Sequence, residues 1–320
     1  MKAQGVRVFY SLLSMAGMFT NTSPIHAADT AAAVSVPVTM TVTATVANNK
    51  RMPDINQNDI VVRQGKARLD VTNWVPARGD RAGLDLFILI DDSIDFRVGG
   101  QFDDLRAFID AQPPTTSIGV GYMRNATVQV VQDFTANHVL AAGALRLPLG
   151  SPGALGSPYL SVVDLMKRWP QGDNRREVLM ITDGIDRARH HLGWHRGLSI
   201  YPDADMAGTV AQRTGTIIHT IYAPGADPFR RNYARSTNGQ MNLARLSDKT
   251  GGSSFFLGLH GPVSFRPYLD SLQQILDNQY LLSFSATAGK RAGLQYITLG
   301  TEVAGVELAT HNSVWVPAAK

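Results

Sequence analysis

The chain has 320 residues, 44% of them hydrophobic and 18% charged, enough for one large domain or two modest ones around a real core. Its formal charge is only +4 and its basic residues are scattered, the densest spots being the arginine pairs at 175–176 and 230–231, which argues against a nucleic-acid partner. Cysteine is absent, so stability has to come from packing or from bound metal, not from disulfides.

The opening stretch MKAQGVRVFYSLLSMAGMFTNTSPIHAADTAAA runs from a short basic start, through apolar residues from Val8 to Phe19, to small residues. That order describes a secretory signal peptide over 1–27, cut after Ala27 or Ala28 and sending the chain to the periplasm or out of the cell. The apolar run is too short to cross a bilayer, and no later one is long enough, so the mature chain is expected to have no membrane span. An uncleaved anchor is the alternative. Residues 35–47, SVPVTMTVTATVA, alternate apolar residues with Thr and Ser at a period of two, the signature of a half-buried strand. The stretch IVVRQGKARLDVTNWV (60–75) reads as two strands turned at Gly65. The segment 33–80 is therefore a small β unit, too small for a core of its own.

From Leu84 the pattern changes. DLFILI (85–90) is a continuous apolar run, as in a buried parallel strand. A helix over 103–111 follows, stopped by the prolines at 113–114, then two strands separated by Asn125. Helices are predicted over NHVLAAGALRL (137–147) and 157–169, and a second buried strand over 176–182. The helix 204–215 ends on Gly215, and a strand over 216–223, a helix over 240–252 and a short strand SSFFL follow. An amphipathic helix covers 266–279, and the tail 281–317 returns to β alternation, expected to pack with the first β segment. Strands alternating with helices from 84 to 280 predict an α/β fold with a doubly wound, mostly parallel sheet, plus the small β subdomain. Ligands of such sheets bind at the carboxyl ends of the strands.

Three acids and two serines point to that edge. The strand at 85–90 runs into Asp91-Asp92-Ser93-Ile94-Asp95, the strand at 176–182 into Asp183-Gly184, and Ser157 stands in a glycine-flanked loop ahead of a helix. Asp91, Ser93, Asp95, Ser157 and Asp183 supply oxygen alone from three loops, a donor set for a hard divalent cation: Mg²⁺ first, Ca²⁺ or Mn²⁺ as alternatives.

With FILIDDSID, GSPYLSVVDL, REVLMITDGID, LARLSDKTGGSSFF and LDSLQQILDNQYLLSF in this order, the chain resembles the von Willebrand factor type A domain over roughly 84–280. Its first β segment looks like the one that precedes this domain in secreted bacterial proteins. The resemblance implies a metal-ion-dependent adhesion site of the pattern Asp-x-Ser-x-Ser, a distant Thr and a distant Asp-Gly, presented to a protein partner at the carboxyl edge of the sheet. Asp91, Ser93 and Asp183 match it, and Ser157 keeps the hydroxyl where the family has Thr. Asp95 departs, standing where the family has a second serine. An added carboxylate holds a cation more tightly, favours Ca²⁺ and weakens capture of an acidic partner residue; alternatively Asp95 points outward and the site is vestigial.

The implied function is non-enzymatic protein binding, adhesive or in complex assembly. A metal-independent structural component is the alternative and a metal-assisted hydrolase is less favoured, since no nucleophile elbow, phosphate-loop lysine or neighbouring histidine accompanies Ser93. His191 and His195 are four apart, but Gly193 interrupts the helix that zinc binding would need, which leaves a solvated insertion whose Trp194 is a candidate partner contact. His219 on its apolar strand is expected to be a satisfied core histidine, and Phe255 and Phe256 core or strand residues.

Overall fold

The computed structural model describes residues 34–46, 51–188, 200–226, 233–256 and 264–319; the predicted signal peptide and the histidines at 190, 191 and 195 with Trp194 lie outside them. In chain order the strands are β1 Ser35–Val46, β2 Ile60–Gln64, β3 Ala67–Leu69, β4 Val71–Pro76, β5 Leu84–Asp91, β6 Thr116–Arg124 and β7 Thr127–Thr135, followed by β8 Arg175–Thr182, β9 Thr216–Tyr222 and β10 Ser254–Phe255. The last four are β11 Gln279–Thr287, β12 Gly293–Thr301, β13 Val306–Ala309 and β14 Ser313–Val316. The helices are α1 Phe102–Asp110, α2 His138–Gly143, α3 Pro158–Arg168, α4 Pro202–Thr214, α5 Tyr233–Thr250 and α6 Arg266–Asp277.

Every residue of β5 is buried, because the strand lies in the middle of a six-stranded sheet of order β10-β9-β8-β5-β6-β7. All neighbours pair in parallel except β7, which closes one edge antiparallel. Alternation along β5 sends Leu86, Ile88 and Ile90 to a core shared with α1, α2 and α6. Phe87 and Leu89 go to the opposite core, shared with α3, α4 and α5. The apolar run therefore carries no amphipathic pattern: both of its faces are covered by helices. This is the α/β, doubly wound and mostly parallel architecture that the alternation predicts. From β5 the chain leaves through α1 for β6 on one side, while β8 and β9 stack on the other. The order reverses between β5 and β8, which opens a crevice at their carboxyl ends.

Two four-stranded sheets, β13-β1-β11-β4 and β14-β12-β2-β3, share a separate core that includes Val42, Ala44, Val62, Leu282, Phe284 and Val316. β1 runs antiparallel to β11 from Ser35 opposite Thr287 to Thr43 opposite Gln279, so segments from opposite ends of the described chain complete each other. The 60–75 stretch holds three strands, not two. β2 turns at Gly65 into β3, and at Asp70 the chain changes sheets, β3 staying with β2 while β4 joins β11.

Other differences have local causes. The helix predicted over 137–147 is confined to α2, because the chain turns at Arg146: the Tyr122 hydroxyl accepts from its amide (2.6 Å) and donates to its carbonyl (2.7 Å). That turn carries the Arg146 guanidinium to Asp92, and the ion pair takes the place of a further helical turn. β10 keeps two residues, and Phe256, expected inside, is exposed while Phe255 packs on Tyr268. His219 is fully buried, 2.8 Å from Glu177 Oε2, and its Nδ1 accepts the Ser253 amide at 3.1 Å.

Candidate functional site at the carboxyl edge

β5 and β8 end side by side, and their last side chains bond to each other. Asp91 Oδ1 accepts the Ser93 amide (2.8 Å) and Oδ2 accepts the Thr182 hydroxyl (2.7 Å), while that hydroxyl accepts the Gly184 amide (3.1 Å). Burial, and next the charge of Asp183, push the Asp91 carboxyl above its usual range, against the opposing pull of Arg187 and the hydroxyls of Ser93 and Thr182. Ser157 is the N-cap of α3, its Oγ accepting the Leu160 amide at 3.3 Å, and Pro158 at the first helical position favours the start. Asp91, Ser93, Ser157, Ser161 and Arg187 line one cavity of about 10 Å³, the room of a single water. Ser93 Oγ is buried in it without a hydrogen-bond partner of normal geometry.

Three further acids of this edge, Asp183, Asp95 and Asp92, are each taken by an arginine of the same chain. Asp183 meets Arg187 in a two-point pair, Nη1 to Oδ1 at 3.1 Å and Nη2 to Oδ2, and its Oδ1 also accepts the Ile185 amide at 3.0 Å. Burial works against the charge of Arg187, yet Asp183 at contact and Asp91 beyond it raise the guanidinium well above its ordinary pKa. Asp95 accepts the Arg97 amide at 3.0 Å, which caps the short 3-10 turn Phe96–Gln101, and its Oδ2 lies 2.5 Å from Arg97 Nη2. Asp92, fully buried, binds both Nη1 (2.7 Å) and Nη2 (2.9 Å) of Arg146, whose guanidinium rests 3.7 Å over the Tyr122 ring.

Of the five residues expected around one ion, the structure brings Asp91, Ser93 and Ser157 to one cavity. Asp183 and Asp95 it does not, because planar guanidinium groups satisfy both oxygens of each carboxylate. Among the described residues no group of three or more His, Cys, Asp or Glu side chains forms a metal-binding cluster. A hard divalent cation takes six or more oxygens, and here the space is a single water's and Arg187 supplies a positive charge at its wall. In this arrangement the residues do not fit the ion.

Sequence reasoning missed Arg97, Arg146 and Arg187, although two of them follow their acids by two and four residues. It also missed a buried acid pair. Asp186 faces Asp203, both 1% exposed, and burial followed by the charge and hydrogen bond of Asp203 pushes Asp186 up to about 7, despite bonds from Ser157 and the Ala188 amide. The Tyr159 hydroxyl donates to the Gly184 carbonyl at 2.7 Å, so α3 holds the β8 loop from below.

The reversal between β5 and β8 and the antiparallel edge strand make an α/β, mostly parallel sheet consistent with the von Willebrand factor type A fold that the resemblance implies, and two four-stranded sheets are added to it. No protein-family model matches the chain, and no curated protein does. Solved structures do match in shape. A von Willebrand factor type A protein from Catenulispora acidiphila is 11% identical over 85% of this chain and 75% of its own, with a TM-score of 0.45. An aerotolerance-related membrane protein from Bacteroides fragilis is 14% identical over 61% of this chain and 99% of its own, with a TM-score of 0.43. The ArnB paralog VWA2 from Sulfolobus acidocaldarius is 9% identical over 88% and 76%, with a TM-score of 0.38. At such identities the likeness concerns fold alone.

Proposed function

We propose that the chain is an exported, non-enzymatic protein-binding module whose partner docks on the carboxyl edge of the six-stranded sheet without needing a bound cation. One observation carries this reading: exposed apolar side chains stand beside the acid–arginine pairs of this edge. Phe96 is 61% exposed, Leu147 54%, Leu149 57% and Leu155 53%. They belong together: Leu147 lies against Gly99 in the turn that carries Phe96, the Leu149 amide bonds Asp92 Oδ1 at 3.3 Å, and Leu155 lines the site cavity. Apolar side chains grouped over one edge mark interaction surfaces more often than isolated ones do, and burying them against a protein partner supplies the driving force.

The export part of the reading is supported by the leader-like first 27 residues, and among the described residues no helix is long and apolar enough to cross a membrane. A hydrolytic role has less behind it, since among the described residues no histidine lines the cavity with Ser93. The second reading keeps the divalent cation, Mg²⁺ before Ca²⁺ or Mn²⁺, on Asp91, Ser93 and Ser157 with Asp183 and Asp95 released from their arginines; Ser93 Oγ, buried with no hydrogen-bond partner of normal geometry among the described residues, favours it.

Pull-down from an envelope extract separates the two. The proposed reading expects one partner to be retained in the presence of chelator and lost with Leu149→Asp or Phe96→Asp. Loss in chelator alone transfers the function to the second reading. Retention by both aspartate variants removes the carboxyl edge as the docking surface.

A further inference from the structure

Two carboxylates that are buried at neighbouring strand ends repel each other, and burying them together requires a positive charge close to both. Asp91 is 4% and Asp183 1% exposed. The charge that reconciles them is Arg187, whose side chain is 17% exposed. Its guanidinium bonds both oxygens of Asp183 and forms part of the cavity wall with Asp91, Ser93 and Ser157.

Its placement is held from two sides. The amides of Arg187 and Ala188 both donate to the Gly156 carbonyl, at 2.5 and 2.9 Å, which fastens this loop to the one ahead of α3. From the loop after β9, Gly225 leaves the needed space: a Cβ there would stand 2.5 Å from Asp183 Oδ2 and 2.8 Å from Arg187 Nη2. The fold is shaped around the ion pair, not around Asp183 alone.

We propose that Arg187 is a resident cation: its guanidinium stands where this edge would otherwise hold a divalent ion, and removing it leaves a site that takes one. With the guanidinium gone, Asp91, Asp183, Ser93 and Ser157 present oxygen donors from three loops, the ligand set of Mg²⁺ or Mn²⁺, and Arg124 is left as the basic residue among the described lining of the cavity. With the guanidinium present, a tethered charge competes at high effective concentration and millimolar ion in solution does not displace it. The inference concerns the same edge as the proposed docking surface, but its test reads ion binding and not partner capture, so the two fail separately.

The test uses the purified chain with Mg²⁺ and Mn²⁺ as probes, followed by thermal melting and by direct Mn²⁺ binding. Wild type is expected to hold its melting temperature within about 1 °C and to bind no Mn²⁺. Arg187→Ala and the similarly long Arg187→Met are expected to melt lower without ion and to recover by about 5 °C or more at saturating ion. Arg187→Lys, which keeps the charge, is expected to stay indifferent. A wild type that binds Mn²⁺ as tightly as the variants overturns the proposal. So does a folded Arg187→Ala or Arg187→Met that binds none, and so does failure of both to fold at any ion concentration.

Discussion

The two ends of the six-stranded sheet handle buried charge in opposite ways. At the carboxyl edge, Asp92, Asp95 and Asp183 each face one arginine, and all three pairs lie on loops. At the amino edge, Arg175 opens β8 with its guanidinium buried and bonded to neutral oxygens: the Ala82 carbonyl at 3.0 Å, the Leu276 carbonyl at 3.5 Å and the Gln279 side chain. Burial holds Arg175 below its ordinary pKa, with Glu177 and Asp277 opposing, whereas Arg187 is raised. One arginine ties elements together and the other neutralises acids. Arg175 reaches the linker before β5, the end of α6 and the start of β11, which are the joints between sheet and sandwich. The amino edge is tied together by one buried arginine, and the carboxyl edge carries charge pairs beside exposed apolar side chains.

The largest effect that tests this contrast is expected from Asp183→Ala. It strands a buried guanidinium and should cost about 3–5 kcal/mol in urea unfolding, while Asp183→Ala combined with Arg187→Met costs less than the single change. Arg175→Ala removes bonds to neutral groups and should cost less, about 2 kcal/mol by the same measurement. If it costs more than Asp183→Ala, the contrast between the edges is wrong.

The pH dependence should differ in sign between the edges. Asp186 lies beside the carboxyl edge with a native value of about 7 against an ordinary 3.8, so the native state holds the extra proton and stability falls as pH rises through that window. His311, buried near the amino edge with Nε2 3.0 Å from the Thr216 carbonyl, is held below its ordinary 6.5, chiefly by burial. Its contribution is full above that value and is lost as pH falls toward the native one. Melting temperature followed from pH 8 to pH 4 should lose its acid-side gain in Asp186→Asn and its acid-side loss in His311→Gln.

Two smaller effects sharpen the account of the carboxyl edge. Asp104 accepts Ser264 Oγ (2.6 Å) and the amides of Phe265 (3.0 Å) and Arg266 (3.3 Å) at the start of α6, so Asp104→Ala should cost about 1 kcal/mol. Ala126, in the turn between β6 and β7, sits at a φ of 58°, and Ala126→Gly should raise stability by about 0.5–1 kcal/mol.

Much of this fold was legible because its signals are local. The unbroken apolar runs before Asp91 and Asp183, the Ser-Pro start of α3 and the glycine after α4 each act within a few residues. The mostly parallel pairing follows from their alternation, and the order of the strands does not. The site was legible only by residue type. Sequence shows that acids stand at two strand ends, but not which cation answers them, because that depends on how loops fold back. Arg146 reaches Asp92 from 54 residues away through a turn that Tyr122 enforces. Arg187 is four residues from Asp183, a spacing that on a helix would attract no notice and in this loop places a charge inside the crevice. Asp203, from the start of α4, reaches Asp186 in the same non-local way.

The pairing of β1 with β11 also sets a schedule for synthesis. Thr39 meets Ser283 at 2.9 Å across 244 positions of sequence. A ribosome adding roughly 5–20 residues per second needs on the order of 10–50 s to bring the second strand after the first. For that interval β1, twelve residues of alternating Val, Thr and Met, has no partner from the tail. Such an edge is a template for wrong pairing, so the emerging chain has to keep its first strand out of the hands of its neighbours until its last strands arrive.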